Sequence, residues 1–239
     1  PIGSTVQVIA IVIISCLAIL SVVAGMDKGV KRLSILNMTL AIALMIFVFL
    51  AGPSIHILES FLQNTGSYLN HIVERTFNLQ AYSRSDWIGN WTLFIFGWTI
   101  AWAPFVGLFI AKISRGRTIR QFVFGVLAVP TLFTFLWFAI FGDTALHLIM
   151  EQGKDALIGE VQSNHAVALF EFYDRLPMSF FLSIITVFLI ITFFVTSSDS
   201  GSLVVDSLAS GGLLETPVWQ RVFWAFLEGG IAAALLLAG

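Results

Sequence analysis

Tryptophan recurs within one strongly apolar stretch of the chain, NWTLFIFGWTIAWAPFVG. On a helix, which turns about 100° per residue, Trp91, Trp98 and Trp102 lie within about 40° of one another. Phe105 extends the same face. Since a helix rises about 1.5 Å per residue, Trp98 and Trp102 lie about 10 to 16 Å inward from Trp91, away from the membrane interfaces where tryptophan usually gathers. Electron-rich rings at that depth favour a binding wall for a cation, above all a quaternary ammonium. An aromatic packing seam between helices is the alternative.

Two residues of the same stretch weaken a helix. Gly97 has no side chain, and Pro104 removes a backbone hydrogen bond and bends the axis. Irregular backbone at membrane depth is tolerated only where it is buried in protein or lines a cavity. The pattern therefore predicts an interrupted span beside a cavity.

A second polar stretch follows directly on an apolar run, in FFVTSSDSGSLVVDSLASGG. Hydroxyl oxygens and backbone carbonyls at a broken helix are suitable ligands for Na⁺. Asp199 is costly within a membrane and is therefore a functional candidate. We expect a second interruption at Asp199, Ser200 and Gly201. The alternative is that the hydroxyls bond back to carbonyls one turn earlier or to other helices, with Asp199 as a cap.

Long apolar runs dominate the rest of the chain. With 58% hydrophobic and 11% charged residues among 239, the composition is that of a polytopic membrane protein and not of a soluble domain. A membrane-crossing helix needs about 20 mainly apolar residues. The sequence therefore predicts an all-α transmembrane bundle in the inner (plasma) membrane, with spans at about 6–25, 35–52, 87–112, 120–141, 179–205 and 218–238.

Basic residues indicate the orientation of these spans. They gather after spans one, three and five, so these connections are expected to face the cytoplasm. The segments 53–86 and 142–178 hold most of the acidic residues and should be external. Apolar residues recur near helical spacing in 53–86, which predicts an amphipathic helix on the outer surface or against a neighbouring subunit. An irregular capping loop is the alternative.

Several classes of function are excluded. A net charge of −2 without a long basic run argues against nucleic acid as a partner. A membrane enzyme would need a nucleophile, a base or metal ligands at depth, and only Asp199 and Glu228 lie there, without a His or Lys partner in their spans. No spacing suggests zinc. The single Cys16 allows no internal disulfide. Because the chain starts without Met and stops in an apolar run, we interpret it as an internal fragment.

The stretch NWTLFIFGWTIAWAPFVGLFIAKISRGRTIRQF resembles the signature of the betaine/choline/carnitine transporter family, and FFVTSSDSGS resembles its later motif. The resemblance extends over nearly the whole chain, includes GMDKGVKRLSILNM, and is closest to the choline-importing, proton-linked branch. It implies twelve spans with a leucine-transporter-like core of two inverted five-helix repeats, assembled as a homotrimer. This chain would then hold spans six to eleven.

The resemblance also implies roles for single residues in the tryptophan span. Trp98 and Trp102 match one wall of the substrate site. The family pattern there is usually Trp-Ala-Trp-Trp, whereas this chain has Phe96-Gly97-Trp98-Thr99. Thr99 thus replaces a ring that ordinarily stacks on the ammonium, so the cage is incomplete and the substrate is expected to be less purely cationic or differently shaped.

Ion sites are implied in the same way. Phe105 matches the position of a second ion site in sodium-coupled members. Phe193, Thr196 and Ser197 match the principal sodium site. Asp199 matches an acid of the motif, to which the resemblance assigns no role.

The predicted function is secondary active import of a small quaternary ammonium compound, choline or glycine betaine, driven by Na⁺ or H⁺ with alternating access. The predicted partners are this substrate, membrane lipid and further copies of the chain. No cofactor and no metal are predicted apart from Na⁺ as a coupling ion. The alternatives are a non-transporting sensor or scaffold on the same fold, and a transporter of a different zwitterionic osmolyte.

Overall fold

A computed structural model of the protein describes residues 3–24, 31–83, 86–150, 156–213 and 216–238. Every regular element in these ranges is helical. The α-helices are α1 (Ser4–Ala24), α2 (Lys31–Ala51), α3 (Ser54–Phe77), α4 (Phe94–Ile113), α5 (Ile119–Trp137), α6 (Thr144–Met150), α7 (Ala156–Ser163), α8 (Ala168–Tyr173), α9 (Ser179–Ala209) and α10 (Val218–Ala238). This agrees with the predicted all-α class. Of the charged residues used to orient the spans, Lys28, Arg84, Glu151, Lys154 and Asp155 lie outside the described ranges.

Six helical stretches are long and apolar enough to cross a membrane. They are Ser4–Val23, Lys31–Ala51, Ile88–Ala111, Ile119–Met150, Ser179–Ala209 and Val218–Ala238. The second begins earlier than expected because Lys31 and Arg32, although charged, continue the helix at its end. Their long side chains can reach out of the apolar layer while their backbone stays helical.

Two π-helical segments lengthen the membrane helices. Residues Ile88–Leu93 lead into α4, and Phe138–Asp143 joins α5 to α6. The fourth stretch is therefore 32 residues long, whereas the sequence suggested an end near 141. Its start is fixed by a capping box, in which Thr118 Oγ1 accepts from the Gln121 N–H at 3.3 Å and Gln121 Oε1 accepts from the Thr118 N–H at 3.1 Å.

The segment after α2 forms a single long helix, α3. Pro53 precedes it, and the Ser54 hydroxyl donates to the Phe49 carbonyl at 2.6 Å, which ties the new helix to the end of α2. Gly52 is required at this corner, because a Cβ there would lie 2.8 Å from the Val48 carbonyl oxygen. One side of α3 buries Ile57, whereas its other apolar residues are largely exposed, including Leu62 at 70%.

The chain forms two compact units. The first comprises residues 1–42, 107–110 and 184–239, and the second comprises 43–106 and 111–183. In the first unit, α1 packs along α10. The two helices approach closely at Gly229, since a Cβ there would lie 2.8 Å from the Ser15 Cβ and would also collide with the Ser15 hydroxyl. Small residues at helix contacts are the usual way for membrane helices to pack.

We expect Gly229→Ala to lower the thermal stability of the full-length protein in detergent relative to Gly230→Ala. Both substitutions gain about 0.5–1 kcal/mol of helix propensity. Only the first introduces a clash, because a Cβ at Gly230 meets nothing within 4 Å. Overpacking of this kind costs about 1–3 kcal/mol. Equal melting temperatures for the two variants would contradict the close packing of α1 on α10.

The helix α9 runs without a break through its polar stretch. The Thr196 hydroxyl donates to the Phe193 carbonyl at 3.0 Å, and the Ser200 hydroxyl donates to the Thr196 carbonyl at 2.9 Å. The hydroxyls are thus satisfied by the preceding turn, as in the alternative stated above. The interruption expected at Asp199, Ser200 and Gly201 is therefore absent.

The helix α4 is also continuous. It passes through Gly97, and Pro104 lies inside it. A proline within a helix removes one hydrogen bond without ending the helix when the neighbouring turns hold their own bonds. The break expected at these two positions is absent as well, while the cavity-lining role of the residues stays a prediction.

Candidate functional site

The aromatic face of α4 belongs to the second unit. Trp98 and Trp102 are four residues apart on this helix, and their side chains are 52% and 44% exposed. Within the described chain, none of the residues of this span is buried. The packing seam named above is therefore not formed by the described residues of this unit, and both rings are open to a ligand or to another part of the protein.

Neighbouring aromatic rings support these two tryptophans. The Phe94 ring meets Trp98 edge to face at a centroid distance of 5.8 Å. The Phe105 ring meets Trp102 in the same manner at 6.4 Å. Edge-to-face pairs help to fix the orientation of each ring. The Thr99 hydroxyl is occupied by the Ile95 carbonyl, to which it donates at 2.8 Å.

A polar face runs along α9 in the first unit. Buried polar side chains recur at intervals of three and four residues, which places them on one side of the helix. They are Thr192, Thr196, Asp199, Ser202 and Asp206. Over these positions the face extends about 21 Å at about 1.5 Å per residue, most of the thickness of the apolar layer. Such residues in a membrane helix are expensive and normally mark a binding or ion pathway.

The predicted sodium-site residues lie on different sides of α9. Thr196 is buried, whereas Ser197 is exposed and Phe193 is 43% exposed. Phe193 and Ser197 are four residues apart and so share the exposed side. Phe193, Thr196 and Ser197 belong to one unit, and Trp98, Thr99, Trp102 and Phe105 belong to the other.

Asp199 is the least exposed acid of the polar face. Its side chain is 0% exposed, and the Ser21 hydroxyl on α1 donates to its Oδ2 at 2.5 Å. Its Oδ1 has no hydrogen-bond partner among the described residues. A buried carboxylate normally accepts several hydrogen bonds or pairs with a cation. Asp199 therefore keeps an unused acceptor inside the first unit.

Glu228 on α10 faces the same part of α9. The hydroxyls of Ser198 and Ser202 both donate to its Oε2, at 3.2 and 2.9 Å. Gly201 lies between them, and a Cβ there would be 3.4 Å from Glu228 Oε1. Within the described residues both carboxylates are thus held by serine hydroxyls rather than by basic side chains.

We expect Ser21→Ala to destabilise the full-length protein by about 1–3 kcal/mol, because Asp199 Oδ2 would lose its described donor while it stays buried. Ser34→Ala serves as the control, since Ser34 is exposed. Thermal unfolding of both variants in detergent measures the difference. A Ser21 variant as stable as the control would show that the hydrogen bond to Asp199 contributes nothing.

Sequence reasoning missed part of this arrangement. Ser21 lies 178 residues from Asp199, so no local pattern connects the two. Thr192 and Asp206, in contrast, could have been found, because they continue the three- and four-residue spacing of Thr196, Asp199 and Ser202.

The chain matches the model of the BCCT family, described as betaine/carnitine/choline family transporters, over residues 1–239. It is 48% identical over 98% of its length to a glycine betaine transporter of Acinetobacter baylyi, and it covers 35% of that protein. It is 42% identical over its whole length to a glycine betaine/proline/choline transporter of Vibrio parahaemolyticus and covers 42% of it. An uncharacterised transporter of Mycobacterium tuberculosis is 50% identical over 95% of this chain.

The chain therefore spans well under half the length of these curated relatives. The match confirms the resemblance drawn from the two motifs, and the family is one of transporters, not of enzymes. Together with the six apolar helices it makes the chain a multi-pass protein of the inner (plasma) membrane. The chain belongs to the betaine/carnitine/choline transporter family.

Proposed function

We propose that the full-length protein is a secondary active transporter that imports a small quaternary ammonium compound, glycine betaine or choline, in symport with Na⁺ or H⁺. The observation that carries the proposal is the aromatic face of α4, on which Trp98 and Trp102 stand free at the middle of an apolar helix. A quaternary ammonium is attracted electrostatically to indole faces, and it has no N–H groups that need hydrogen-bond acceptors. The relatives named as glycine betaine transporters support the same substrate class.

Within this proposal, Trp98 and Trp102 form one wall of the substrate site. Thr99 adds a small side chain where a further ring would stand, and this leaves room for a carboxylate beside the ammonium. We therefore favour glycine betaine over choline as the main substrate. In α9, Thr196 on the polar face and Ser197 and Phe193 on the exposed side contribute to a sodium site, and Phe105 contributes to a second one. Alternating access around a midplane site would couple the two.

The homotrimer is also part of this proposal. The exposed apolar residues of α3 make that helix suitable for contact with lipid or with a neighbouring copy of the protein.

Counterflow in liposomes tests the proposed function. Full-length protein is reconstituted with either unlabelled glycine betaine or unlabelled choline inside, and the same solute in labelled form is added outside. We expect the label to accumulate transiently with at least one of them. Absence of exchange with both solutes and with other zwitterionic osmolytes would favour a sensor built on the transporter fold, the alternative that the replaced ring at Thr99 keeps open.

A further inference from the structure

A pocket of about 180 Å³ lies within the second unit, between α3 and the π-helical turn Phe138–Asp143. Aromatic rings of Phe61, Tyr68, Phe135 and Phe138 form much of its wall. Tyr68 and Phe135 meet edge to face with their ring centroids 5.1 Å apart. Drug-sized ligands occupy pockets of about 300–1,000 Å³, so this one suits a small molecule or a single chemical group.

Asp143 adds a carboxylate to the lining of this pocket. Asp143 is 8% exposed. It lies in the helical stretch Ile119–Met150, which is long and apolar enough to cross a membrane. Its two oxygens accept weakly from one donor, the Asn64 amide, at 3.3 and 3.2 Å. Among the residues that the structure describes, no basic side chain forms an ion pair with it. A neutral amide compensates little of the cost of burying a charge.

The backbone directs Asp143 towards the pocket. A π-helical turn adds a residue to the helix, so that the side chains after it are rotated relative to those of a regular α-helix, and such turns are frequent at functional sites. Asp143 is the last residue of this turn. The next residue, Thr144, is fully buried and bonds its hydroxyl to the Ile140 carbonyl at 2.5 Å. The turn is thus held firmly while the carboxylate faces Asn64 on α3.

We propose that this pocket, defined by Asp143, Asn64 and the four rings, binds an organic ammonium group that carries no carboxylate of its own. Aromatic walls attract a methylated or primary ammonium, and a cation beside a buried carboxylate would compensate its charge. Glycine betaine is disfavoured, because its carboxylate would lie close to that of Asp143. The site is thus distinct from the aromatic face of α4 and does not depend on the proposed transport. The cation can come from solution or from the headgroup of an aminophospholipid.

Binding of labelled tetramethylammonium to the purified full-length protein tests this proposal. Saturating unlabelled glycine betaine is present throughout, so that the proposed transport site is occupied. We expect one residual binding site per chain. Asp143→Asn should weaken it at least about thirtyfold, the effect of removing one partner of a buried charge pair. Asp174→Asn, which neutralises an exposed acid, is the matched control and should bind as the wild type does.

Two further variants keep the test decisive. Phe135→Leu retains the charge and should weaken binding roughly three- to thirtyfold, the range expected for one cation–π contact. Trp219→Leu should leave residual binding unchanged, because Trp219 is an exposed ring that is not part of the pocket. Absence of residual binding in the wild type, or unchanged affinity in both Asp143→Asn and Phe135→Leu, overturns the proposal. Loss of transport with intact residual binding would instead contradict only the proposed function.

Measurements in liposomes with and without phosphatidylethanolamine distinguish the two sources of the cation. If phosphatidylethanolamine competes with tetramethylammonium in the wild type, the lipid headgroup is the natural occupant. If the apparent affinity is the same in both membranes, the occupant is a soluble cation.

Discussion

Trp102→Leu is expected to weaken the affinity of the full-length protein for the proposed quaternary ammonium substrate by about tenfold or more. A cation–π contact that is shielded from water contributes about 2 kcal/mol, and each 1.4 kcal/mol corresponds to a factor of ten. Leucine keeps the apolar character of the position but removes the electron-rich face. The measurement is the concentration dependence of labelled substrate uptake into proteoliposomes, together with equilibrium binding.

The structure supplies a control for this variant. Trp219 lies near the start of α10 and is 70% exposed, so Trp219→Leu removes an equally large exposed ring far along the chain from the aromatic face. Both variants should keep the melting temperature and the assembly state of the wild type, because neither ring is buried among the described residues. Unaltered affinity of the Trp102 variant would contradict its place in the substrate site and would favour the alternative, in which this ring packs against another helix.

The second large effect is expected from removing the two hydroxyls of the proposed sodium site. In the double variant Thr196→Ala with Ser197→Ala, uptake should lose its dependence on external Na⁺ or need at least about tenfold more Na⁺. Oxygen ligands to a charged partner contribute about 1.5–3 kcal/mol each, and alanine offers none. The measurement is initial uptake as a function of external Na⁺ at constant ionic strength and constant pH.

Thr131→Ala is a suitable control, since the Thr131 hydroxyl also bonds back to the preceding turn, donating to the Leu127 carbonyl at 2.7 Å, but it lies on the exposed side of α5. Uptake by this variant should keep the Na⁺ dependence of the wild type. Na⁺ dependence that persists unchanged in the double variant would contradict the assignment. So would wild-type uptake that follows a proton gradient and ignores Na⁺, which would identify H⁺ as the coupling ion.

The membrane helices could be predicted from sequence because their signal is additive and local. Each apolar run is long enough to span the bilayer by itself, and no distant residue is needed to recognise it. The ends of the spans depend on more than these runs. A π-helical turn at Phe138–Asp143 joins α5 to α6. The pattern of apolar residues does not indicate this turn, so the sequence places the end of the span too early.

The interruptions expected in α4 and α9 show where a composition argument fails. Serine, glycine and proline weaken a helix on average. In α9, however, the hydroxyls of Thr196 and Ser200 bond back to the preceding turn and let the helix continue. The choice between a broken helix and a back-bonded one depends on tertiary surroundings that a single stretch of sequence does not contain.

The hydrogen bonds of the two buried aspartates could not be predicted from the sequence, and the reason is the distance along the chain. Asp143 meets Asn64 from a distance of 79 residues, and Asp199 meets Ser21 from a distance of 178. Either acid alone is only a costly residue in an apolar helix. Its partner becomes evident when the helices are packed, because hydrogen bonds between helices follow from the packing and not from spacing along the chain.

The most direct test of the central claim is the water accessibility of position 102. Trp102→Cys is made in a cysteine-free full-length protein, which requires replacement of Cys16, and is treated in membranes with a positively charged, membrane-impermeant methanethiosulfonate. We expect modification of the cysteine from the aqueous side and protection by glycine betaine or choline. No modification, or modification that neither solute slows, would show that the aromatic face of α4 does not line a substrate chamber.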